Sequence, residues 1–305
     1  MRLIYFGTGT FALPTLQALA PHVVLVVTQP DGQTGRGLQT APTPAKLLGQ
    51  SLELPVASPE KSRAPEFVDI LRSMEADALV VASYGQILST AVLESARCGG
   101  INLHGSILPQ YRGAAPIQRA ILNGEKESGI TLMQMARGMD TGDIIAVERL
   151  PIGPDETYGE LQDRLADVAA NMAQFWLPKI VSGEYPRTPQ NNSLMTLAAK
   201  VDKSEAELQF NRFAYSEYLR FRAFTPSPGA FVRTIFGRLK LNSVQMSELN
   251  GLAGTVLDLN PLTVAFNQGG LQFLEVQPEG KKRMSGREFA NGARLKVGMP
   301  LIEIE

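Results

Sequence analysis

Short apolar runs alternate with amphipathic stretches through the first third of the chain. Residues 3–6 form a continuous apolar run of strand length, followed by a glycine-rich turn, a helical pattern over 14–20 and a second apolar strand over 22–28. Residues 78–83 and 100–103 predict two further strands, each preceded by a helical pattern, over 65–74 and 90–96. Strands that alternate with helices argue for an α/β domain with a parallel sheet covered on both faces.

Beyond this point the pattern predicts a helix over 115–122 ended by Asn123-Gly124, an alternating segment over 129–135 and a strand over 144–150. Thr157-x-x-Glu160 is a capping box, and Leu161, Leu165, Val168, Met172, Phe175 and Trp176 follow at helical spacing as a core stripe. From 184 to 203 the chain turns polar and loses periodicity, which predicts a linker. A helix over 215–224 comes next, then five alternating segments, 230–235, 239–244, 255–259, 262–266 and 271–276, separated by Gly and Asn turns. They predict a small OB-like β-barrel. The expected division is a first domain over 1–184, a linker over 185–207 and a second domain over 208–305. Phe210, Phe213, Tyr215, Tyr218, Phe221 and Phe224 are expected to pack across the domain interface.

Composition changes this picture only in places. With 44% hydrophobic residues, 305 residues can bury a sizeable core. A net charge of −1 does not by itself point to nucleic acid or a membrane. The charge is uneven, however: residues 208–305 hold 12 Lys and Arg against 8 Asp and Glu, and the rest of the chain 17 against 22. That asymmetry hints at a polyanionic partner for the C-terminal part. Cys98 is the single cysteine, so no intrachain disulfide forms, as suits a reducing compartment. The apolar start is too short for a secretory signal, and no apolar stretch reaches membrane-spanning length. A soluble, cytoplasmic protein is expected.

Two groups of residues carry candidate chemistry. Gly7-Thr8-Gly9-Thr10-Phe11-Ala12 fits the glycine pattern of a dinucleotide-binding turn, with Asp31 near the place of a ribose-binding acid. The pattern is weak without a hydride-transfer site, and the Gly- and Pro-rich segment after Asp31 reads as a loop. The second group is stronger. Of the two histidines, His22 begins an apolar strand and reads as a surface or packing residue, whereas His104 falls just past the strand at 100–103, where open parallel sheets place ligands. Alternation puts Asn102 and His104 on one face. Asp140, in the loop Gly138-Met139-Asp140-Thr141-Gly142-Asp143, can supply a carboxylate to orient His104. The alternative is that Asn102 and His104 cap the strand and Asp140 is a turn residue.

The joint string decides between these readings. Asn102-Leu103-His104-Gly105-Ser106, Leu108-Pro109, Arg112-Gly113-Ala114-Ala115-Pro116-Ile117-Gln118 and Met139-Asp140-Thr141-Gly142-Asp143 resemble the signature of the folate-dependent formyltransferases. Arg222-Ala223-Phe224-x-Pro226-x-Pro228-Gly229-Ala230 extends the likeness into the C-terminal part, toward members that act on tRNA. The resemblance implies a Rossmann-like catalytic domain and a C-terminal tRNA-binding domain. The activity it implies is formyl transfer from 10-formyl-tetrahydrofolate to the amino group of methionine on initiator tRNA, with no metal; a monomer is expected. It assigns His104 as base or proton relay, Asn102 as oxyanion donor, Asp140 as the residue orienting His104, and Ser106, Ile107, Leu108 and Pro109 as the donor-site lining. Arg36 is similar to the arginine that the family places against the tRNA acceptor end, although Leu38-Gln39 replace the lysines common after it, leaving Arg36 and Lys46 as the cations of that loop. Lys281, Lys282 and Arg283 are candidates for tRNA phosphates. A formyltransferase for nucleotide-linked amino sugars and a 10-formyl-tetrahydrofolate hydrolase are the rival readings.

Overall fold

In the computed structural model, which describes residues 1–34 and 39–303, the apolar runs of the first third build the parallel part of a seven-stranded sheet. β1 (Leu3–Gly7), α1 (Leu13–Leu19) and β2 (Val23–Val27) lead to a hairpin, β3 (Gly32–Thr34) and β4 (Gln39–Ala41). Next come α2 (Pro44–Ser51), β5 (Val56–Ala57), α3 (Pro65–Ser73), β6 (Ala78–Ala82), α4 (Thr90–Leu93) and β7 (Gly100–His104). The chain continues through β8 (Arg112–Gly113), α5 (Pro116–Leu122), β9 (Glu127–Gln134), β10 (Ile144–Pro151), α6 (Tyr158–Ser182) and β11 (Leu197–Ala198).

The sheet order is β10-β9-β7-β6-β1-β2-β5. β5, β2, β1, β6 and β7 run parallel, and β9 and β10 add antiparallel. β1, β6 and β7 are buried at every position, because side chains alternate between two faces that are both covered. By its internal contacts the chain groups into two compact units, one of residues 1–116, 127–151 and 162–199, the other of 117–126, 152–161 and 200–305. The 185–207 stretch thus divides between residues 199 and 200. Its first part is hydrogen-bonded into the first unit: Thr188 pairs with Ile144, and β11 pairs in parallel with β8.

Several local readings change. The segment from Asp31 to Gly49, expected as loop, ends in the helix Pro44–Ser51, which Thr43 starts by accepting the Lys46 N–H at 3.1 Å, with Pro44 at its first position. The 90–96 helix is a single turn, and Ser95 Oγ donates to the Val92 carbonyl at 2.6 Å, a local bond that competes with helix continuation. The capping box of α6 forms, with Thr157 N–H donating to Glu160 Oε2 at 2.8 Å and Glu160 N–H to Thr157 Oγ1 at 3.5 Å. Leu161, Leu165 and Met172 are buried as expected, but Phe175 is 58% exposed. The stripe is carried instead by small and aliphatic residues, Ala169, Ala173, Leu177 and Ile180, while Lys179 Nζ sits 3.6 Å from the Phe175 ring centroid.

The second unit holds α7 (Ala214–Ala223), β12 (Phe231–Thr234), β13 (Gly237–Ser247), β14 (Val256–Leu259), β15 (Leu262–Ala265), β16 (Gly270–Pro278), β17 (Met284–Ser285) and α8 (Gly286–Gly292). Its antiparallel order is β12-β13-β16-β15-β14, with β17 on β16. The 298–301 segment joins the two ends of this order: Ile235 N–H donates to Leu301 O at 2.7 Å, and Val256 N–H to Met299 O at 2.9 Å. The unit is therefore a small barrel-like domain, and Val232, Leu241, Leu262, Phe273 and Val276 fill it with Phe210, Tyr218 and Phe221. Phe213 and Tyr215, expected to pack across the domain interface, are 55% and 53% exposed at the N-terminal end of α7.

Candidate active site

β7 places Asn102 and His104 two residues apart on one side of a central strand, between β6 and β9. Both are buried, at 9% and 6% exposure. The loop that follows is pinned to β9 by a single hydroxyl: Thr131 Oγ1 donates to Ser106 O at 2.7 Å and accepts the Leu108 N–H at 3.0 Å. Ser106 Oγ donates to Gln110 O at 2.7 Å. Ser106 and Leu108 are thus buried and internally bonded, and Ile107 and Pro109 are the two of the four with surface partly open.

His104 Nε2 lies 2.9 Å from the Tyr111 carbonyl oxygen. A carbonyl only accepts, so this contact places the hydrogen of the neutral ring on Nε2 and leaves Nδ1 as the basic nitrogen. Nδ1 is 3.6 Å from Asp140 Oδ2, beyond hydrogen-bond length but within reach of charge attraction. Asp140 adopts a left-handed φ of 53°. Its Oδ2 accepts the Gly113 N–H at 2.9 Å and its Oδ1 faces Asn102 Nδ2 at 3.4 Å. Gly113 has a φ of 129°, and a Cβ there would lie 2.5 Å from the Ala198 carbonyl oxygen, so only glycine brings this amide to the carboxylate. The Asn102 amide carries a second N–H beyond the one turned to Asp140. A proton acceptor, a hydrogen-bond donor and a balancing charge therefore converge at the end of β7.

Sequence reasoning missed two residues here, Gln190 and Asn192, and held a third, Arg112, only as part of the family signature, without a role. Arg112 is 5% exposed; its Nε and Nη2 donate to Gln190 Oε1 at 3.0 and 2.6 Å, and Nη2 also donates to Asn192 Oδ1 at 2.8 Å. Gln190 Nε2 in turn donates to the carbonyls of Asp140 and Gly142, at 2.9 and 2.7 Å. Gln190 and Asn192 lie in the aperiodic stretch read as linker, so the sequence held no signal for them.

The other candidates fall elsewhere. Gly7 is a packing glycine, since a Cβ would meet Ala12 and Tyr5 at 2.7 Å, whereas a Cβ at Gly9 would meet nothing. Asp31 pairs with Lys46 at 2.8 Å, so its carboxylate is engaged and Lys46 is not a free cation. A cleft of about 580 Å³ opens at the carboxyl ends of β1 and β6, lined by Thr8, Gln29, Ser83, Tyr84 and Gln86 among others. Another, of about 630 Å³, lies by Asp77, Arg97 and Gly100, at the opposite end of β7 from His104. Burial raises the Cys98 thiol pKa, and His22 is exposed. Lys281, Lys282 and Arg283 are exposed between β16 and β17, with Arg283 3.9 Å from Glu275. Arg36 lies outside the described residues. Among the described residues no helix is long and apolar enough to cross a membrane.

Residues 1–175 match the formyl transferase family and residues 200–294 the formyl transferase C-terminal domain. The chain belongs to the formyl transferase family and is a formyl-transferring enzyme. Relatives that match along nearly the whole chain include methionyl-tRNA formyltransferases. The one from Dictyoglomus turgidum is 42% identical over 311 residues, covering 98% of each chain. The one from Sorangium cellulosum is 43% identical over 310 residues, covering 99% of each. Among solved structures, an N-formyltransferase from Helicobacter canadensis in complex with folinic acid and dTDP-3-aminofucose aligns with a TM-score of 0.64 at 17% identity, over 89% of this chain and 98% of that one. HypX from Aquifex aeolicus in complex with tetrahydrofolic acid aligns with a TM-score of 0.66 at 14% identity, over 95% of this chain and 47% of that one. These two share the fold, and the chain spans about half the length of HypX.

Proposed function

We infer that this protein transfers the formyl group of 10-formyl-tetrahydrofolate to the α-amino group of methionyl initiator tRNA, in the cytoplasm and as a monomer, for translation initiation. The observation that carries the reading is the His104 ring, whose bare Nδ1 faces Asp140 while Nε2 is committed to Tyr111 O. The near-identical length of relatives that bear this activity in their name supports the acceptor.

Asn102, His104 and Asp140 divide the chemistry. The donor is a substrate that supplies an activated formyl carbon on N10. Its flat pterin suits the loop at 106–109, where the Ser106 hydroxyl and the Leu108 N–H are bonded internally and Ile107 and Pro109 offer apolar surface. The neutral amine attacks the formyl carbon, and the carbonyl electron pair moves to oxygen. The second Asn102 N–H is free to donate to that oxyanion. His104 Nδ1 takes the proton released by the attacking nitrogen, and the imidazolium so formed lies opposite the Asp140 carboxylate. Return of that proton to N10 accompanies cleavage of the carbon–nitrogen bond and releases tetrahydrofolate. An α-amino group with a reference pKa near about 8 is already partly neutral at pH 7, so the base has modest work to do.

Residues 1–184 serve as the catalytic domain and 208–305 as the tRNA-binding domain, with 185–207 between them. Lys281, Lys282 and Arg283 contact tRNA phosphates, and Arg36 meets the acceptor end. The test is transfer of radiolabelled formyl from 10-formyl-tetrahydrofolate to charged initiator tRNA, beside uncharged tRNA and a nucleotide-linked amino sugar. Label on Met-tRNA alone is expected. Label on the sugar, or formate released without an acceptor, would replace the tRNA assignment.

A further inference from the structure

We propose that Gln190 is a positioning residue for formyl transfer, holding Asp140 against His104 through its side-chain amide. The proposal rests on the reading of Asn102, His104 and Asp140 given above.

Asp140 stands in a loop flanked by Gly138 and Gly142, at a left-handed φ of 53°, and such a segment has wide conformational freedom unless something outside it removes that freedom. The Gln190 amide does so at two points. Its Nε2 donates to the carbonyls of Asp140 and Gly142, two residues apart, and these bracket the backbone of Asp140 itself and the turn after it. The amide is in turn fixed by a buried cation, because Arg112 Nε and Nη2 both donate to Gln190 Oε1. The next residue, Gly113, gives its N–H to the Asp140 carboxylate. The circuit closes: Asp140 main chain to Gln190, Gln190 to Arg112, Arg112 by one peptide to Gly113, and Gly113 to the Asp140 side chain. Both ends of Asp140 are therefore set by one pair of adjacent residues and their glutamine.

The chemistry of each member is specific. Glutamine offers two donors and one acceptor on a planar head, which matches two carbonyls on one side and a guanidinium on the other. Glutamate at 190 keeps the Arg112 acceptor, loses both donors and sets a carboxylate against two carbonyl oxygens. The guanidinium of Arg112 donates to the amide oxygens of both Gln190 and Asn192. Beyond this circuit, Arg187 holds Asp143 at 3.0 Å and Thr188 pairs with Ile144, so the same segment grips the far end of the loop as well.

The experiment uses the full chain with Gln190→Glu and Gln190→Leu. In the formyl-transfer assay both are expected to lose about tenfold to hundredfold in kcat, the scale of a misplaced catalytic geometry, with KM for donor and for Met-tRNA changed by less than about threefold. Without any substrate, the His104 ring resonances in NMR spectra are expected to move in both variants while those of His22, the only other histidine, stay in place. Wild-type kcat, a loss confined to KM, or unmoved His104 resonances would each overturn the proposal. So would failure of both variants to fold, which assigns Gln190 a structural role. Absence of formyl transfer by the wild-type chain would instead sink the functional reading, and the NMR comparison would still decide whether Gln190 positions Asp140.

Discussion

Asp140 Oδ2 lies 3.6 Å from His104 Nδ1 and 2.9 Å from the Gly113 N–H, so the carboxylate is hydrogen-bonded to the backbone and faces the imidazole without bonding to it. Charge and geometry can therefore be separated at this residue. Asp140→Asn keeps an oxygen for Gly113 and removes the charge opposite the imidazolium. It is expected to lower kcat by about 10²- to 10⁴-fold, the range of general acid–base contributions, with an unchanged melting curve. His104→Ala should cost at least as much. Retention of near full activity by either variant in a single-turnover assay would remove this mechanism.

The loop that carries Asp140 is also limited by space. A Cβ on Gly142 would lie 1.7 Å from the Gln134 carbonyl oxygen, backbone that cannot swing aside like a side-chain tip. Gly142→Ala is expected to cost about 2 kcal/mol or more of stability, read from urea denaturation, and to abolish transfer along with it. An alanine variant with wild-type stability would mean that the loop passes β9 at a greater distance.

In the second unit, Arg119 binds Glu205 with two hydrogen bonds of 2.6 and 2.9 Å, and this bonding holds the Glu205 carboxyl below its ordinary pKa. A depressed folded-state pKa contributes stability above the unfolded value, near about 4.3, and loses it as pH falls through the folded value. Glu205→Gln is therefore expected to be less stable by roughly 0.5–1 kcal/mol at pH 7 and to lose less stability than wild type on acidification below about pH 4. Parallel acid-denaturation curves for the two proteins would exclude this linkage.

The exposed cations Lys281, Lys282 and Arg283 predict a salt-dependent effect. Replacing all three with alanine is expected to weaken tRNA binding and to flatten the plot of log affinity against log salt by about one for each phosphate no longer neutralised. Donor hydrolysis or binding by the catalytic unit should not change. An unaltered slope would leave these residues as a solvated charged turn.

Much of the fold was legible because the controlling forces are local in sequence. The apolar runs of β1, β6 and β7, the capping box of α6 and the alternating segments of β12 to β16 each announce an element through periodicity alone. The candidate site was legible in part, for a related reason. Asn102 and His104 share a strand face by alternation, and the motif around them is contiguous. Phe175 shows where periodicity misleads, since the hydrophobic count favoured a large aromatic while the buried stripe of α6 is built on alanines. The segment at 185–199 shows the limit more sharply: it carries no periodicity because its bonds, from Thr188, Gln190 and β11, go to residues far away in sequence.

The sequence by itself determined the principal strands and helices of both units, the family signature and the residue types able to handle a proton, an oxyanion and a charge. Only the tertiary structure decided which nitrogen of His104 is basic, how Asp140 faces it and that Gln190 holds Asp140 in place. Those relations join residues 7 to 50 positions apart, largely through carbonyls and amides that nearly every residue possesses, so no residue type marks them until the chain has folded.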